Sequence, residues 1–158
     1  MKSSGSIIVV DTLNILFQNS GRKARVQNFT IIKQAIARKF PGATIYFLAD
    51  ASTRHKIDDV KAYEALCANG DIIQTPAGEP ADYYLITYAS SKPECLIISC
   101  DAFRDHDISA SLRRRVIPAV IIGTDVIFSP KLETCLCNKE ESKAAKVTRA
   151  IPALVQHS

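Results

Sequence analysis

The chain has 158 residues, of which 47% are hydrophobic and 23% charged. That size and balance suit one globular domain over residues 1–158 with a single sizeable core, and exclude disordered, collagen-like and membrane-spanning classes. The longest apolar runs, such as Ile7 to Val10 and Ala119 to Ile122, fall far short of the roughly 20 residues of a membrane helix. The first run also stops at Asp11, too early for a signal peptide, so the expected location is the cytoplasm with no membrane partner. Twenty Lys and Arg against sixteen Asp and Glu give a net charge of +4, which permits a polyanionic partner without requiring one.

In chain order, short apolar runs alternate with longer segments of helical period, the pattern of βαβ units around a parallel sheet. Ile7-Ile8-Val9-Val10 is β-branched throughout, as a strand buried on both faces should be. A basic loop from Asn14 to Arg25 is expected next. Phe29, Ile32, Ile36 and Phe40 then recur at helical spacing up to Pro41-Gly42. Thr44 to Leu48 is the second expected strand, and Asp58 and Asp59 open a helix carried by Val60, Tyr63, Leu66 and Cys67. Ile72-Ile73 is a short third strand, followed by a turn-rich loop and a helix from Ala81, with Pro80 at its start. Leu96 to Ser99 is the fourth strand. Ile117 to Ile122 and Val126 to Phe128 predict one or two more around Gly123-Thr124, in the manner of a hairpin. The polar segment at about 138–150 is helix-prone. The fold class is therefore α/β, built of βαβ units around a mostly parallel sheet.

The five cysteines are odd in number. Cys67, Cys95 and Cys100 sit in apolar surroundings that suit reduced, mostly buried thiols. Cys135 and Cys137 make only half of a zinc-ligand set, with no second pair to complete it.

The acids carry more information. Residues 1–50 hold seven basic groups but only two acids, Asp11 and Asp50, each at the end of an apolar run. In open α/β sheets ligands bind beyond the carboxyl ends of the strands. Three expected strands run straight into an aspartate: Asp11, Asp50 and Asp101. Asp105 follows Asp101 by four residues, so one helical turn would put both on the same side. Asp82, in the first turn of its helix, can face the same edge. A cluster of Asp11, Asp82, Asp101 and Asp105 is costly unless neutralised, because like charges raise one another's pKa. Mg²⁺ or Mn²⁺, which prefer carboxylate oxygens, would neutralise it, and such a site among basic loops suits phosphodiester hydrolysis.

Each acid taken singly also has a plain structural account. Asp11 can cap a helix or turn, Asp82 can serve the helix dipole, Asp101 and Asp105 can be surface loop residues beside Asp107, and Asp50 can be a cap or pair with Arg54. Arg22, Lys23, Arg25, Arg104 and the run Arg113-Arg114-Arg115 are candidate contacts to a phosphate backbone, or else solvated charges. Tyr83, Tyr84 and Phe103 can stack on unpaired bases, with Tyr84 better suited to the core.

Three segments carry a family resemblance. Ile7-Ile8-Val9-Val10-Asp11-Thr12-Leu13-Asn14 resembles the opening strand and D-x-x-N element of the NYN branch of PIN-like ribonucleases, whose best-known members are the CCCH zinc-finger ribonucleases of the Regnase type. Ala81-Asp82-Tyr83-Tyr84-Leu85-Ile86 is similar to that family's acidic helix start. Ile98-Ser99-Cys100-Asp101-Ala102-Phe103-Arg104-Asp105 resembles its S-N-D-x-[FY]-R-D element. The resemblance runs from about Ile7 to Pro130. It implies a PIN-like fold, a three-layer α/β/α sandwich with a mostly parallel central sheet, and an Mg²⁺- or Mn²⁺-dependent endoribonuclease acting on single-stranded or loop RNA, with Asp11, Asp82, Asp101 and Asp105 as the acidic centre. It also implies that Asn14 supports water or a substrate phosphate, and that the retained Ser99 hydroxyl belongs to the substrate side. Two departures are Ala81, where Regnase-type members can have a second aspartate, and Cys100 in place of the usual Asn. With no CCCH finger in the sequence, substrate contacts are expected from the domain itself.

Other α/β enzymes fit less well. A haloacid-dehalogenase phosphatase needs an acid where Leu13 stands, a Rossmann enzyme needs glycines between Thr12 and Asn19, and a receiver domain needs paired acids at the first strand. The remaining rival is a catalytically inactive PIN-like module that binds RNA or a protein, and dimerisation through an exposed apolar face is compatible with either. A pure binding module, however, gains nothing from four acids at one edge.

Overall fold

The computed structural model describes residues 5–136. The helix expected at about 138–150, and Cys137, lie outside them. Five strands, β1 (Ile7–Asp11), β2 (Thr44–Ala49), β3 (Ile72–Gln74), β4 (Cys95–Ile98) and β5 (Val116–Ile117), form one sheet in the order β3-β2-β1-β4-β5. Every pairing in it is parallel. The chain steps outward from β1 to β2 and β3, then returns to lay β4 on the other side of β1. That reversal creates a crevice at the carboxyl ends of β1 and β4, where open α/β sheets bind their ligands.

Alternate strand residues face opposite sides, which divides the core in two. Ile8, Val10, Phe47, Leu96 and Ile98 face helices α1 (Thr12–Leu16), α2 (Gln27–Lys39) and α3 (Val60–Ala68), and meet Ile15, Leu16, Phe29, Ile32, Ile36 and Tyr63. Phe29 stacks at a tilt on Phe47, with ring centroids 4.6 Å apart. Val9, Leu48 and Ile97 face α4 (Ala81–Ser91) and α5 (Ala110–Arg114), and meet Leu85, Ala89 and Leu112. These are the three layers expected. The boundaries carry chemical reasons: Asp59 caps α3 by accepting from the Ala62 amide at 3.0 Å, Pro80 stands at the N-cap of α4, and Gly42 takes a φ of +78° after α2.

Pro118 ends β5, and the chain continues as the hairpin β6 (Ala119–Ile122) and β7 (Asp125–Phe128), turning at Gly123 with φ +63°. Ala119 and Ile121 point into the core, whereas Val120, Ile122 and Ile127 leave an exposed apolar face. The free edge of β6 is held by side chains: Gln18 donates to the Ala119 carbonyl (2.5 Å) and accepts from the Ile121 amide (2.7 Å), and Asn19 donates to the Ile121 carbonyl (2.6 Å). Among the described residues no helix is long and apolar enough to cross a membrane.

Three local expectations are corrected. Residues 14–16, expected as the start of a loop, belong to the helix α1, because Ile15 and Leu16 are wholly buried and a helical turn is what carries them inward. Cys100, expected to be mostly buried, is exposed, while Cys95 is buried and Cys67 half-buried. Arg115, grouped in sequence with Arg113 and Arg114 as a phosphate contact, is structural. Its Nη1 donates to the carbonyls of Ala89 (3.1 Å), Lys92 (3.1 Å) and Cys95 (2.7 Å), tying the end of α4 to the start of β4. Arg115→Met, which keeps the aliphatic stem and removes those charge-assisted hydrogen bonds, is expected to cost about 2 kcal/mol of stability, measured as a lower urea midpoint.

Candidate active site

Because the sheet is parallel, the carboxyl ends of β1, β2 and β4 share one edge, and each delivers an acid there. Asp11 ends β1 and stands at the N-cap position of α1, yet its side chain makes no capping bond. Its carboxylate instead accepts a hydrogen bond from the Ser99 hydroxyl at 2.8 Å. Ser99, just after β4, is fully buried, and its oxygen in turn accepts from the Asp101 amide at 3.0 Å. The Asn14 side-chain oxygen accepts from the Cys100 amide at 2.9 Å. The elements after β1 and β4 are thus joined side chain to backbone at the switch point.

Asp101 is exposed and its carboxylate accepts from the Phe103 amide at 2.8 Å. That tight turn forces Phe103 to φ +50°, a region bulky residues rarely adopt, and drops its ring into the core beside Leu112. Phe103 is therefore closed to base stacking. The turn excludes the helix that would have aligned Asp101 with Asp105, since residues 101–109 are loop and turn. Asp105 is exposed there. His106, held by its amide on the Phe103 carbonyl at 3.1 Å, brings its Nε2 to 3.6 Å from the Asp82 carboxylate.

Asp82 enters from the first turn of α4, where the helix dipole favours a negative charge. Asp50 has a double part. Its carboxylate caps the 3₁₀ turn of residues Ala51–His55 through the Ser52 amide at 3.0 Å, and it lines a cleft of about 240 Å³ together with Asp11, Asn14, Phe17 and Asp82. Arg54 pairs with Glu64 instead, at 3.0 Å. A larger concavity of about 760 Å³, between α2 and the hairpin, carries no carboxylate on its walls, so size does not mark the chemistry.

The charges converge in effect as well as in position. Burial, and then the charges of Asp82, Asp101 and Asp50, outweigh the Ser99 hydrogen bond and push Asp11 from its ordinary 3.8 up to about 6. Asp82 is also raised, by burial and by Asp101, against the opposing pull of His106. Among the described residues no three acids, histidines or cysteines are drawn together into a ready metal-ligand set. The donors themselves suit a hard dication: they are oxygens only, and they carry a mutual repulsion that a cation would relieve.

Of the expected phosphate contacts, Arg22, Lys23, Arg104 and Arg114 are exposed. The loop bearing the first two is pinned where the Ala24 amide meets the Lys56 carbonyl at 2.7 Å. Arg25 is half-buried, with Nη1 on the Asn19 carbonyl at 3.3 Å. Arg113 donates to the Ala102 carbonyl at 3.1 Å and so steadies the Asp101 loop. Ser99, expected on the substrate side, has no accessible surface and acts as a positioning residue for Asp11 and Asp101. Sequence reasoning misses Asp50 as a cleft residue because its capping pattern is indistinguishable from that of an ordinary turn, and it misses the exposed Phe17 because a loop is expected where α1 ends.

A sheet of this order with acids at its switch point has the architecture of a PIN-like nuclease domain. Residues 4–124 match the family model described as the Zc3h12a-like ribonuclease NYN domain, and the chain belongs to that family. No individually curated protein sequence matches significantly. Among solved structures, the chain is similar in fold to nuclear proteinaceous RNase P 2 from A. thaliana, with a TM-score of 0.59 and 18% identity over 77% of this chain and 29% of that one.

Proposed function

We propose that this domain is an Mg²⁺- or Mn²⁺-dependent endoribonuclease that hydrolyses phosphodiester bonds in single-stranded or loop RNA, leaving 3′-hydroxyl and 5′-phosphate ends. The observation that carries the reading is that Asp11, Asp50 and Asp82 line one cleft at the switch point, with Asp101 near enough that its charge, like theirs, adds to the burial that raises Asp11 to about 6. Asp11, Asp82 and Asp101 would hold the cation, with Asp50 on the cleft wall and Asp105 at the rim. Bound there, it would supply Lewis-acid polarisation of the scissile phosphate and an acidified water.

The remaining roles belong to this chain's own side chains. Ser99 fixes the Asp11 carboxylate and the Asp101 backbone in one geometry. The Asn14 oxygen is engaged on Cys100, which leaves its NH₂ group to donate to a substrate phosphate. His106, with Nε2 3.6 Å from the Asp82 carboxylate, works against the rise that burial and Asp101 impose on that acid. Arg22, Lys23, Arg104 and Arg114 track the phosphates on either side. A module that only binds RNA would be weakened by an acidic cleft at its centre, since it repels the backbone it must hold.

The test is purified protein incubated with unpaired and hairpin RNA in Mg²⁺, in Mn²⁺ and in EDTA. Cleavage with either cation, absence of cleavage in EDTA and 5′-phosphate ends on the products are expected. Cleavage that persists undiminished in EDTA would remove the metal-dependent mechanism.

A further inference from the structure

We propose that the phenyl ring of Phe17 is a stacking platform for an unpaired nucleobase beside the scissile phosphate, and that it sets the preference for single-stranded over duplex RNA. The inference rests on the nuclease reading of the same cleft and adds to it the part of the substrate that is held there.

The helix α1 explains how the ring reaches the cleft. It starts at Asp11, and its side chains divide between two environments: Ile15 and Leu16 are wholly buried, while Leu13, Asn14 and Phe17 line the cleft with Asp11, Asp50 and Asp82. Leu13 and Phe17 are one helical turn apart and share a face, and the Phe17 amide donates to the Leu13 carbonyl at 3.1 Å. The Phe17 carbonyl accepts from the Ser20 amide at 3.2 Å and from the Ser20 hydroxyl at 2.6 Å. The backbone that presents the ring is therefore fixed before any ligand arrives.

Phe17 is 36% exposed as a residue, and among the described residues no other aromatic ring is seen packed on its ring. An open apolar surface in a wall of carboxylates is unfavourable unless something covers it. The charge of the cleft decides what does. Carboxylates repel phosphates, so the part of a nucleotide suited to this wall is the neutral base. Six residues of helical rise separate Phe17 from Asp11, roughly 9 Å, which sets the ring beside the phosphate position rather than on it. The chain then leads to exposed Arg22 and Lys23, placed for the next phosphate. The other aromatic candidates drop out: Phe103 is buried, and Tyr83, although exposed, lies outside the cleft and packs edge-on against Tyr84 with centroids 5.5 Å apart. In a duplex both faces of each base are already stacked and its edge is paired, so a base can reach Phe17 only where the strand is open.

The experiment measures equilibrium binding of a short unpaired oligoribonucleotide in EDTA, where no metal-dependent cleavage intervenes, for wild type, Phe17→Ala, Phe17→Leu and Phe17→Tyr. The oligonucleotides are intact or carry one abasic residue moved along the strand. Phe17→Ala and Phe17→Leu are expected to bind the intact strand about tenfold more weakly, and Phe17→Tyr as well as wild type. One abasic position should weaken wild type by a similar factor and add nothing to the loss in Phe17→Ala. Leucine keeps an apolar side chain of similar bulk, so a loss in Phe17→Leu with an unchanged melting temperature reports the lost ring. Wild-type affinity in Phe17→Leu, or losses that add at every abasic position, would overturn the proposal. Failure of cation-stimulated cleavage with the binding effect intact would reject the nuclease reading and leave the stacking site standing.

Discussion

Asp11→Asn is expected to lower RNA cleavage by two to three orders of magnitude, the scale on which a single electrostatic group acts in a preorganised site, while making the protein more stable at neutral pH. The second half follows from linkage. Asp11 is raised from 3.8 to about 6 in the folded protein, so the folded state holds its proton more tightly than the unfolded chain does. Below pH 4 the group is protonated in both states and carries no penalty. As pH rises from there through 6 the unfolded chain ionises freely, whereas the folded carboxyl must ionise in a buried place and beside Asp82, Asp101 and Asp50, and stability falls by up to about 3 kcal/mol at about 1.4 kcal/mol per tenfold change. Asparagine keeps the size and an oxygen to accept from Ser99 but never ionises, so the variant escapes that loss. Urea unfolding in EDTA at pH 4 and pH 7.5 checks it: the wild type should lose ground between the two, and Asp11→Asn should not. Mn²⁺ at pH 7.5 should then restore the wild type and leave the variant unmoved. A variant less stable than wild type at pH 7.5 in EDTA would show that Asp11 is held by favourable contacts, against the picture of a strained acidic centre.

How much of this was legible in the sequence depends on the range of the interaction involved. The β-branched run Ile7 to Val10 and the helical spacing of Phe29, Ile32 and Ile36 are local patterns, and the sheet and α2 lie where they point. The acids at strand ends were legible too, because a parallel sheet converts the position after each strand into one edge in space. What did not show were choices made by tertiary contacts. Residues 12–16 are helical because Ile15 and Leu16 find a pocket under the sheet, and that pocket is built by residues far along the chain. Asp101 and Asp105 have the spacing of a helical turn, but Asp101 takes the Phe103 amide for itself and bends the chain away. Arg115 looks like its exposed neighbours until the carbonyls of Ala89, Lys92 and Cys95 are placed around it. Asp50 shows the converse: its local capping bond, visible as a Ser two residues on, masks its place in the cleft.

Ser99→Ala is expected to damage the site without touching a cleft-lining residue. The hydroxyl stands between two acids, donating to the Asp11 carboxylate at 2.8 Å and accepting from the Asp101 amide at 3.0 Å. Alanine removes both bonds in a place closed to water, where Ser99 has no exposed surface. One consequence is energetic. A hydrogen bond to a buried charge is worth about 1.5 to 3 kcal/mol, so the variant should lose about 2 kcal/mol at pH 7.5. The loss has a definite pH dependence: the Ser99 bond is the influence that holds Asp11 down against burial and its neighbours, so without it the carboxyl moves higher still. The gap in stability between Ser99→Ala and wild type should therefore be small near pH 4 and widen as pH rises through 6. The other consequence is geometric. With Asp101 no longer registered against Asp11, the carboxylates meet a cation less well, and cleavage should fall 10- to 100-fold, as when an outer hydrogen-bond partner of a ligand is lost. Ser99→Thr keeps the hydroxyl and, where its extra methyl is accommodated, should recover part of the activity. The decisive comparison is the double variant with Asp11→Asn. If Ser99 acts through Asp11, Ser99→Ala should cost much less stability at pH 7.5 when it is combined with Asp11→Asn than when it is made in wild type. An equal cost in both backgrounds would mean that Ser99 merely fills the core behind β4.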